Sequence, residues 1–247
     1  FCFASGKREF DSFIYSQATL LSKSFEYHLM GNHLLENAFS LLFAAYYFKD
    51  MTFYSLASSV LLEQLDEQIL SDGAHFERSP MYHQIILGRL LDSIHLLRHS
   101  NWKTDLSVKF DQIASSMLSW VNQVSYSDGS TPMVNDCALD MAPTTHTLIE
   151  YANILEVHPL SLPLGECGYR MVRKEAYECF IDIGDIGPDY IPGHAHSDTF
   201  SFELYRDGEP LIVDTGISTY EKNKIRHFER STSAHNTVMI ANLDQSE

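Results

Sequence analysis

The four cysteines, Cys2, Cys137, Cys167 and Cys179, are scattered, and no two of them form a Cys-x-x-Cys pair. That spacing supports neither a disulfide framework nor a cysteine-held zinc site. Basic residues are also few. Seventeen Lys and Arg stand against 33 Asp and Glu, a formal net charge of -16. A nucleic-acid binder needs a basic stripe and none is visible, so nucleic acid is excluded as a partner. The acidic balance speaks mainly to solubility, because a few cationic side chains lining a cleft can still receive a polyanion. Long hydrophobic runs are missing too. No segment approaches the roughly 18 consecutive apolar residues of a membrane span. No leader is visible, and the chain opens at Phe1-Cys2-Phe3 and stops at Gln245-Ser246-Glu247, so both ends read as cut from something longer. No repeat of fixed period stands out.

What is present is a chain of 247 residues, 45% of them hydrophobic and 12% aromatic. That is enough for one large or two medium domains with a sizeable core. Helical periodicity runs through the first part: Phe10 to Leu21, Leu34 to Phe48, Phe53 to Leu70, Met81 to Leu97, Leu106 to Val124 and Thr145 to Leu155. Breakers such as Ser71-Asp72-Gly73, Ser79-Pro80, Ser127-Asp128-Gly129 and Ala142-Pro143 separate these stretches. Six antiparallel helices with short links suit a helical toroid or solenoid better than a four-helix bundle. Around Ser161-Leu162-Pro163-Leu164-Gly165 the character changes. Strand-like segments follow at Cys167 to Val172, Ala176 to Ile183, Thr199 to Tyr205, Pro210 to Asp214 and His235 to Ala241, with Asp207-Gly208 as a hairpin signal. The expected division is a helical domain over residues 1–160 and an antiparallel β-sandwich, incomplete in this chain, over 161–247.

The most informative stretch is Ile191-Pro192-Gly193-His194-Ala195-His196-Ser197-Asp198-Thr199-Phe200-Ser201-Phe202-Glu203-Leu204. Two histidines follow a Pro-Gly turn and precede an alternating Phe200, Phe202, Leu204 run with the period of a half-buried strand. With extended backbone from His194 onward, the two imidazoles would share one face and make a candidate metal or catalytic site. Asp214, at the end of Leu211-Ile212-Val213, and His235, before Asn236-Thr237-Val238, complete with His196 a nitrogen, oxygen, nitrogen donor set of the kind zinc accepts. That His196 and His235 are polar strand-end residues that never meet is the plainer alternative, since the spacings to Asp214 and His235 match no short zinc pattern.

In the helical part, Gly31-Asn32-His33-Leu34-Leu35-Glu36-Asn37 places His33, Glu36 and Asn37 on one helix face. Asn32 as an N-cap and Glu36 near the positive helix end account for two of these residues, but not for the imidazole. Asp72-Gly73-Ala74-His75-Phe76-Glu77-Arg78-Ser79-Pro80-Met81-Tyr82-His83 sets Arg78, Tyr82 and His83 about a helix start, where a tyrosine is usually an ordinary packing residue. Asp128 to Asp136 reads as a turn-rich link.

These blocks, in this order, resemble the heparinase II/III family of polysaccharide lyases, which includes related alginate lyases. The matching stretches are Gly31 to Asn37, Asp72 to His83, Asp128 to Asp136, Gly193 to Gly216 and Arg230 to Ile240. The resemblance implies an α+β, multidomain protein with an incomplete (α/α) toroid followed by a β-sandwich, and a polysaccharide cleft between the two. It implies β-elimination beside a uronate, with an acidic polysaccharide as partner and a periplasmic or secreted location. Tyr82 would be the base and, in a syn geometry, also the acid; a histidine would be the base in an anti geometry. Asn32, His33 and His194 would neutralise the carboxylate, with Glu36 orienting His33. Arg78 and His194 would supply the positive charge that a phenol of pKa about 10 needs in order to ionise near neutrality. Asn135, Asp136, Arg226 and Arg230 would contact sugar. His196, Asp214 and His235 would hold a structural Zn2+ that presents His194.

Two other readings compete. A zinc-dependent hydrolase would use the same three ligands as an open site, and a non-catalytic glycan-binding protein would keep the fold alone. The first fails outright when metal leaves; the second binds glycan without turnover. The absence of a dense Arg/Lys cluster near the matched blocks leans toward a less sulfated uronate polymer.

Overall fold

The computed structural model describes residues 8–188, 190 and 193–245. Two compact units divide the chain. One is formed within Phe1–Glu67 and Arg89–Gln112, the other by Gln68–Gly88 and Ile113–Glu247. Three helices run across the points of division: α3 (Met51–Gln68), α4 (Pro80–Arg98) and α5 (Ser107–Val124).

The first unit also contains α1 (Asp11–Leu21) and α2 (Gly31–Phe48). Along α2, Leu34, Leu35, Ala38, Phe39, Leu41, Leu42 and Ala45 are buried. That three-and-four spacing is the stripe by which a helix joins a core. Trp102 sits between Tyr46 and Tyr54, with ring centroids 5.2 and 5.4 Å away. Each tyrosine hydroxyl is satisfied, Tyr46 donating to the Lys103 carbonyl at 2.7 Å and Tyr54 to Asp105 at 2.6 Å. The N-cap of α2 is Met30, so Asn32 is the second residue inside the helix and does not cap it.

The second unit holds the ends of those helices, then α6 (Thr145–Ile154), a four-stranded sheet, α7 (Lys224–Glu229) and a short 3-10 turn at Thr232–Ala234. The strands β1 (Tyr169–Lys174), β2 (Tyr177–Asp182), β3 (Phe202–Arg206) and β4 (Glu209–Ile212) lie in sequence order, all antiparallel. Asp207 and Gly208, both at positive φ, close the β3–β4 hairpin as expected. One face of the sheet is buried through Tyr169, Phe180 and Tyr205: Tyr169 packs on Trp120, Tyr205 on Tyr126, and Phe180 edge-on against Tyr169. No helix among the described residues is long and apolar enough to cross a membrane.

Two strand expectations fail. The run from His194 is not extended: β3 starts at Phe202, and Phe200, at φ 64°, is 67% exposed. The buried residues are Ser201, Glu203 and Tyr205, the register opposite to the Phe/Leu alternation. Residues 235–241 form no strand beyond a single bridge between Ile240 and Leu243. Around residues 195–199 side chains bind the carbonyls in place of a ladder. Thr232 donates to the Ser197 carbonyl at 2.9 Å, Thr237 to the Thr199 carbonyl at 2.6 Å, and Arg230 to the Ala195 carbonyl at 2.8 and 3.0 Å. Gly193 lies in a turn; Pro192, its expected partner there, is outside the described residues.

Candidate active site

Asp136 is the hub of the second unit. Its carboxylate is inaccessible to solvent and accepts two hydrogen bonds from Arg226, at 2.5 Å on Oδ1 and 2.7 Å on Oδ2. His194 Nδ1 lies 2.8 Å from Oδ2 and His196 Nε2 2.9 Å from Oδ1. Burial alone would push the Asp136 carboxyl up. The bonds from His194, His196 and Arg226 overrule it and hold the group well below the ordinary carboxylate range. Asp136 is therefore a fixed anion that locks both histidine rings. The loop is pinned as well: the Asp136 amide donates to the His194 carbonyl at 3.1 Å.

Next to the hub, Asn135 and Arg78 both occupy the left-handed backbone region at φ 56°. Such residues cost on the order of 1 kcal/mol or more each and persist where their surroundings impose them. Here Asn135 Nδ2 donates to the Arg78 carbonyl at 3.0 Å and to the Tyr169 hydroxyl at 2.9 Å, while its Oδ1 accepts from the His196 amide at 3.1 Å.

Tyr82, on the first turns of α4, meets this cluster from the other side. Its ring lies 4.3 Å from that of His194, and its hydroxyl is 2.9 Å from the Tyr220 hydroxyl. Glu77, almost wholly buried, places a carboxylate oxygen 3.6 Å from His194 Nε2. Burial, then the bond to Tyr220 and its proximity, then the charges of Asp136 and Glu77, all push the Tyr82 phenol well above its ordinary value. Tyr220 is raised too, by burial first, although the Arg226 guanidinium, 5.3 Å from its ring centre, pulls the other way.

Several expected roles find different partners. The Arg78 guanidinium turns to Asp185, with one nitrogen on its carbonyl and another 3.7 Å from its carboxylate, instead of toward the Tyr82 hydroxyl. Asn135, Asp136 and Arg226, expected to touch sugar, are buried and use their side chains internally, and Arg230 is bonded to the Ala195 carbonyl. In the first unit, Asn32 is buried and His33 is half-exposed, 3.8 Å from Glu26. Glu36 does not orient His33: both its oxygens accept from Arg89 Nε, at 2.9 and 3.0 Å.

The metal donor set comes together in part. His196 and His235 face one another with ring centres 5.2 Å apart, and both are buried. Asp214 stands behind His235. Its Oδ2 is 2.7 Å from His235 Nδ1 and its Oδ1 accepts from the Gly216 amide at 3.0 Å. His196 Nδ1, His235 Nε2 and Asp198 Oδ2 are buried without a hydrogen-bond partner. Buried polar atoms are rarely left unpaired, so three orphans in one place fit a cation. His196, Asp198 and His235 offer ligand atoms that all lie within 4.8 Å of one another.

Sequence reasoning missed Tyr220, Glu77 and Asp198. Tyr220 and Glu77 carry no periodic signal. Asp198 does, since His194-x-His196-x-Asp198 continues the alternation of the two histidines.

Heparin-sulfate lyase of Pedobacter heparinus is 25% identical over 266 residues, covering 95% of this chain and 39% of that protein. Heparin-sulfate lyase of Bacteroides stercoris is 23% identical over 252 residues, covering 90% and 37%. A crystal structure of heparinase III superposes with a TM-score of 0.73 at 22% identity, over 93% of this chain and 42% of that one. The heparan sulfate lyase structure from Pedobacter heparinus gives 0.70 at 24%, over 96% and 41%. The chain thus spans about two fifths of the length of these relatives. Residues 8–162 match the heparinase II/III N-terminus and residues 158–247 the heparinase II/III-like C-terminal region. With both of these regions matched along its length, the chain belongs to the heparinase II/III family.

Proposed function

We propose that this chain carries catalytic parts of a polysaccharide lyase that breaks a uronate-containing polymer by β-elimination. The observation that carries the reading is the Tyr82–His194–Asp136 array: a phenol against an imidazole that a buried carboxylate holds in one orientation. Elimination needs a group to take the C5 proton, a group to give one to the leaving oxygen, and positive or donor groups beside the substrate carboxylate. Tyr82, raised and protonated at rest, is suited to give its proton to the leaving oxygen. In a syn geometry Tyr82 first loses its own proton to solvent, and Tyr220, with the Arg226 charge behind it, is the donor that holds the phenolate which then takes the C5 proton and returns it to the leaving oxygen. His194 contributes its Nε2 edge toward the substrate carboxylate or, in an anti geometry, takes the C5 proton. Asn32 and His33 keep the carboxylate-neutralising role that the family resemblance gives them.

The (α/α) toroid and β-sandwich architecture belongs to the same reading, supported by the helices, the antiparallel sheet and the likeness to heparinase III structures. So does a zinc ion held through His196 and His235, with Asp214 close by; bound there, zinc supplies a structural tie between the His194–His196 segment and His235. A uronate polymer is the substrate class, with heparan sulfate first in line because the relatives are named for it. A periplasmic or secreted location follows the same resemblance.

The test is an ultraviolet assay of the protein on a panel of uronate polysaccharides, with Tyr82→Phe in parallel. An unsaturated uronate that forms with the unchanged chain and not with Tyr82→Phe supports elimination. New reducing ends without that chromophore point to hydrolysis, and binding without turnover points to a glycan-binding protein.

A further inference from the structure

A second pair of ligating side chains stands on the surface of the first unit, apart from everything described around Asp136. His95 lies in the last turn of α4, and His99 follows the end of that helix four residues later. Residues so spaced are neighbours on one helix face. Here the two imidazoles stack, with ring centroids 4.1 Å apart and planes 21° from parallel, and both residues are exposed. His99 is oriented by the backbone. Its Nδ1 lies 2.9 Å from the His95 carbonyl oxygen and donates to it, so in the neutral ring Nε2 presents the lone pair.

The local field suits a cation. The carbonyl end of a helix is its negative pole, and the effect is concentrated in the last turn. Asp92, one turn before His95 on the same stripe, adds negative charge. The cationic neighbour Arg98 is held 2.8 Å from Asp111. Two nitrogens bound to one zinc ion at about 2.0–2.1 Å stand roughly 3–3.5 Å from each other, a separation that small rotations of two stacked surface rings can reach. We propose that His95 and His99 form a surface site for a borderline divalent cation, Cu2+, Ni2+ or Zn2+, with water in the remaining positions. Imidazole suits these ions, and Cu2+ binds most tightly among them; Ca2+ and Mg2+ seek oxygen ligands instead. Two histidines at i and i+4 are a helix's means of chelation. The bound ion clips the last turn of α4 to the residue that follows it. Nothing in this inference depends on the lyase reading or on the zinc proposed at His196 and His235.

The experiment uses Cu2+ as the probe, on the full chain, with one equivalent of zinc added first. The unchanged protein, His95→Gln and His99→Gln are titrated by calorimetry, and electron spin-echo spectra count the imidazoles on copper. Circular dichroism checks that the two variants keep the fold. Each variant is expected to bind this copper at least about 10-fold more weakly, because the second ligand acts at high effective concentration. The spectra should fall from two coupled imidazoles to one. Because the three proteins differ only at this pair, metal held elsewhere cancels in the comparison. Unchanged affinity in both variants overturns the proposal. So does a loss confined to one of them, the mark of adventitious binding to a single ring, or a site that takes Ca2+ as tightly as Cu2+.

Discussion

The phenol oxygens of Tyr82 and Tyr220 lie 2.9 Å apart, so at any moment one hydroxyl donates to the other. A proton taken from either is felt by both, and Tyr220, though absent from every motif in the sequence, stands in the path of the proposed chemistry. Tyr82→Phe is expected to reduce β-elimination by at least about 100-fold, the lower range for loss of a general acid or base. Tyr220→Phe is expected to cost less, about 10-fold, and to shift the pH profile of the rate. An unaltered profile in Tyr220→Phe would place that hydroxyl outside the proton path.

Removing a partner of a buried charge is more damaging than removing the pair. Arg226→Met leaves Asp136 buried with only imidazoles against it and is expected to destabilise the protein by about 3–5 kcal/mol. Asp136→Asn keeps the shape and loses the charge, so both His194 and His196 lose the group that orients them. Denaturant unfolding measures the first change; elimination rate and zinc affinity falling together in Asp136→Asn measure the second.

Stability should slope with pH because of Glu203. Burial raises its carboxyl to about 7, against lesser opposing effects of the Met133 amide and the Tyr126 hydroxyl. The folded chain therefore binds a proton that the unfolded chain has released, and this contribution is lost as pH rises from about 4.5 toward 7. Asp136 works in the opposite sense: held below its ordinary range, it contributes above about 4 and is lost as pH falls further. Asp182, raised by burial to about 8, slopes the same way, so Glu203→Gln should lessen the fall in stability between pH 5 and 7 without abolishing it and leave the acid limb in place. Urea midpoints across that range decide it.

Gly73 has a positive φ of 88°, and a Cβ there would sit 2.1 Å from the Ser116 carbonyl oxygen. Backbone on backbone cannot yield as a side chain can. Gly73→Ala is expected to cost about 2–4 kcal/mol, combining strained φ with the clash. A melting temperature within a degree of the unchanged protein would contradict the close approach.

Much of this was legible in the sequence, and the reasons are local. The six helices announced themselves by the spacing of residues such as Leu34, Leu35, Ala38 and Leu42, and the β3–β4 hairpin by Asp207-Gly208. Both depend on neighbours a few residues away. The orientation of β3 did not follow, because Phe202 and Leu204 are the outward set and Glu203, an acid, faces in toward Tyr126 and the Met133 amide. That choice is made by residues some 70 positions distant. The same holds at the site. Tyr82, His194 and His196 come from motifs, but Asp136 as the hub, Tyr220 beside Tyr82 and Asp198 beside the histidines are products of tertiary contact. Glu36 shows the converse: helical spacing put it on the face of His33, and a long side chain, Arg89, claimed it.

One carboxylate orients both a histidine proposed for catalysis and a histidine proposed for metal. His194 and His196 are two residues apart and share Asp136, each on its own oxygen. In evolutionary terms the two centres form one heritable trait. A change at Asp136 reaches both centres at once, so relatives that lose it should lose the pair together. Enzymes of this family with one intact and the other eroded should be rare, and where they occur a new anion should have taken the place of Asp136.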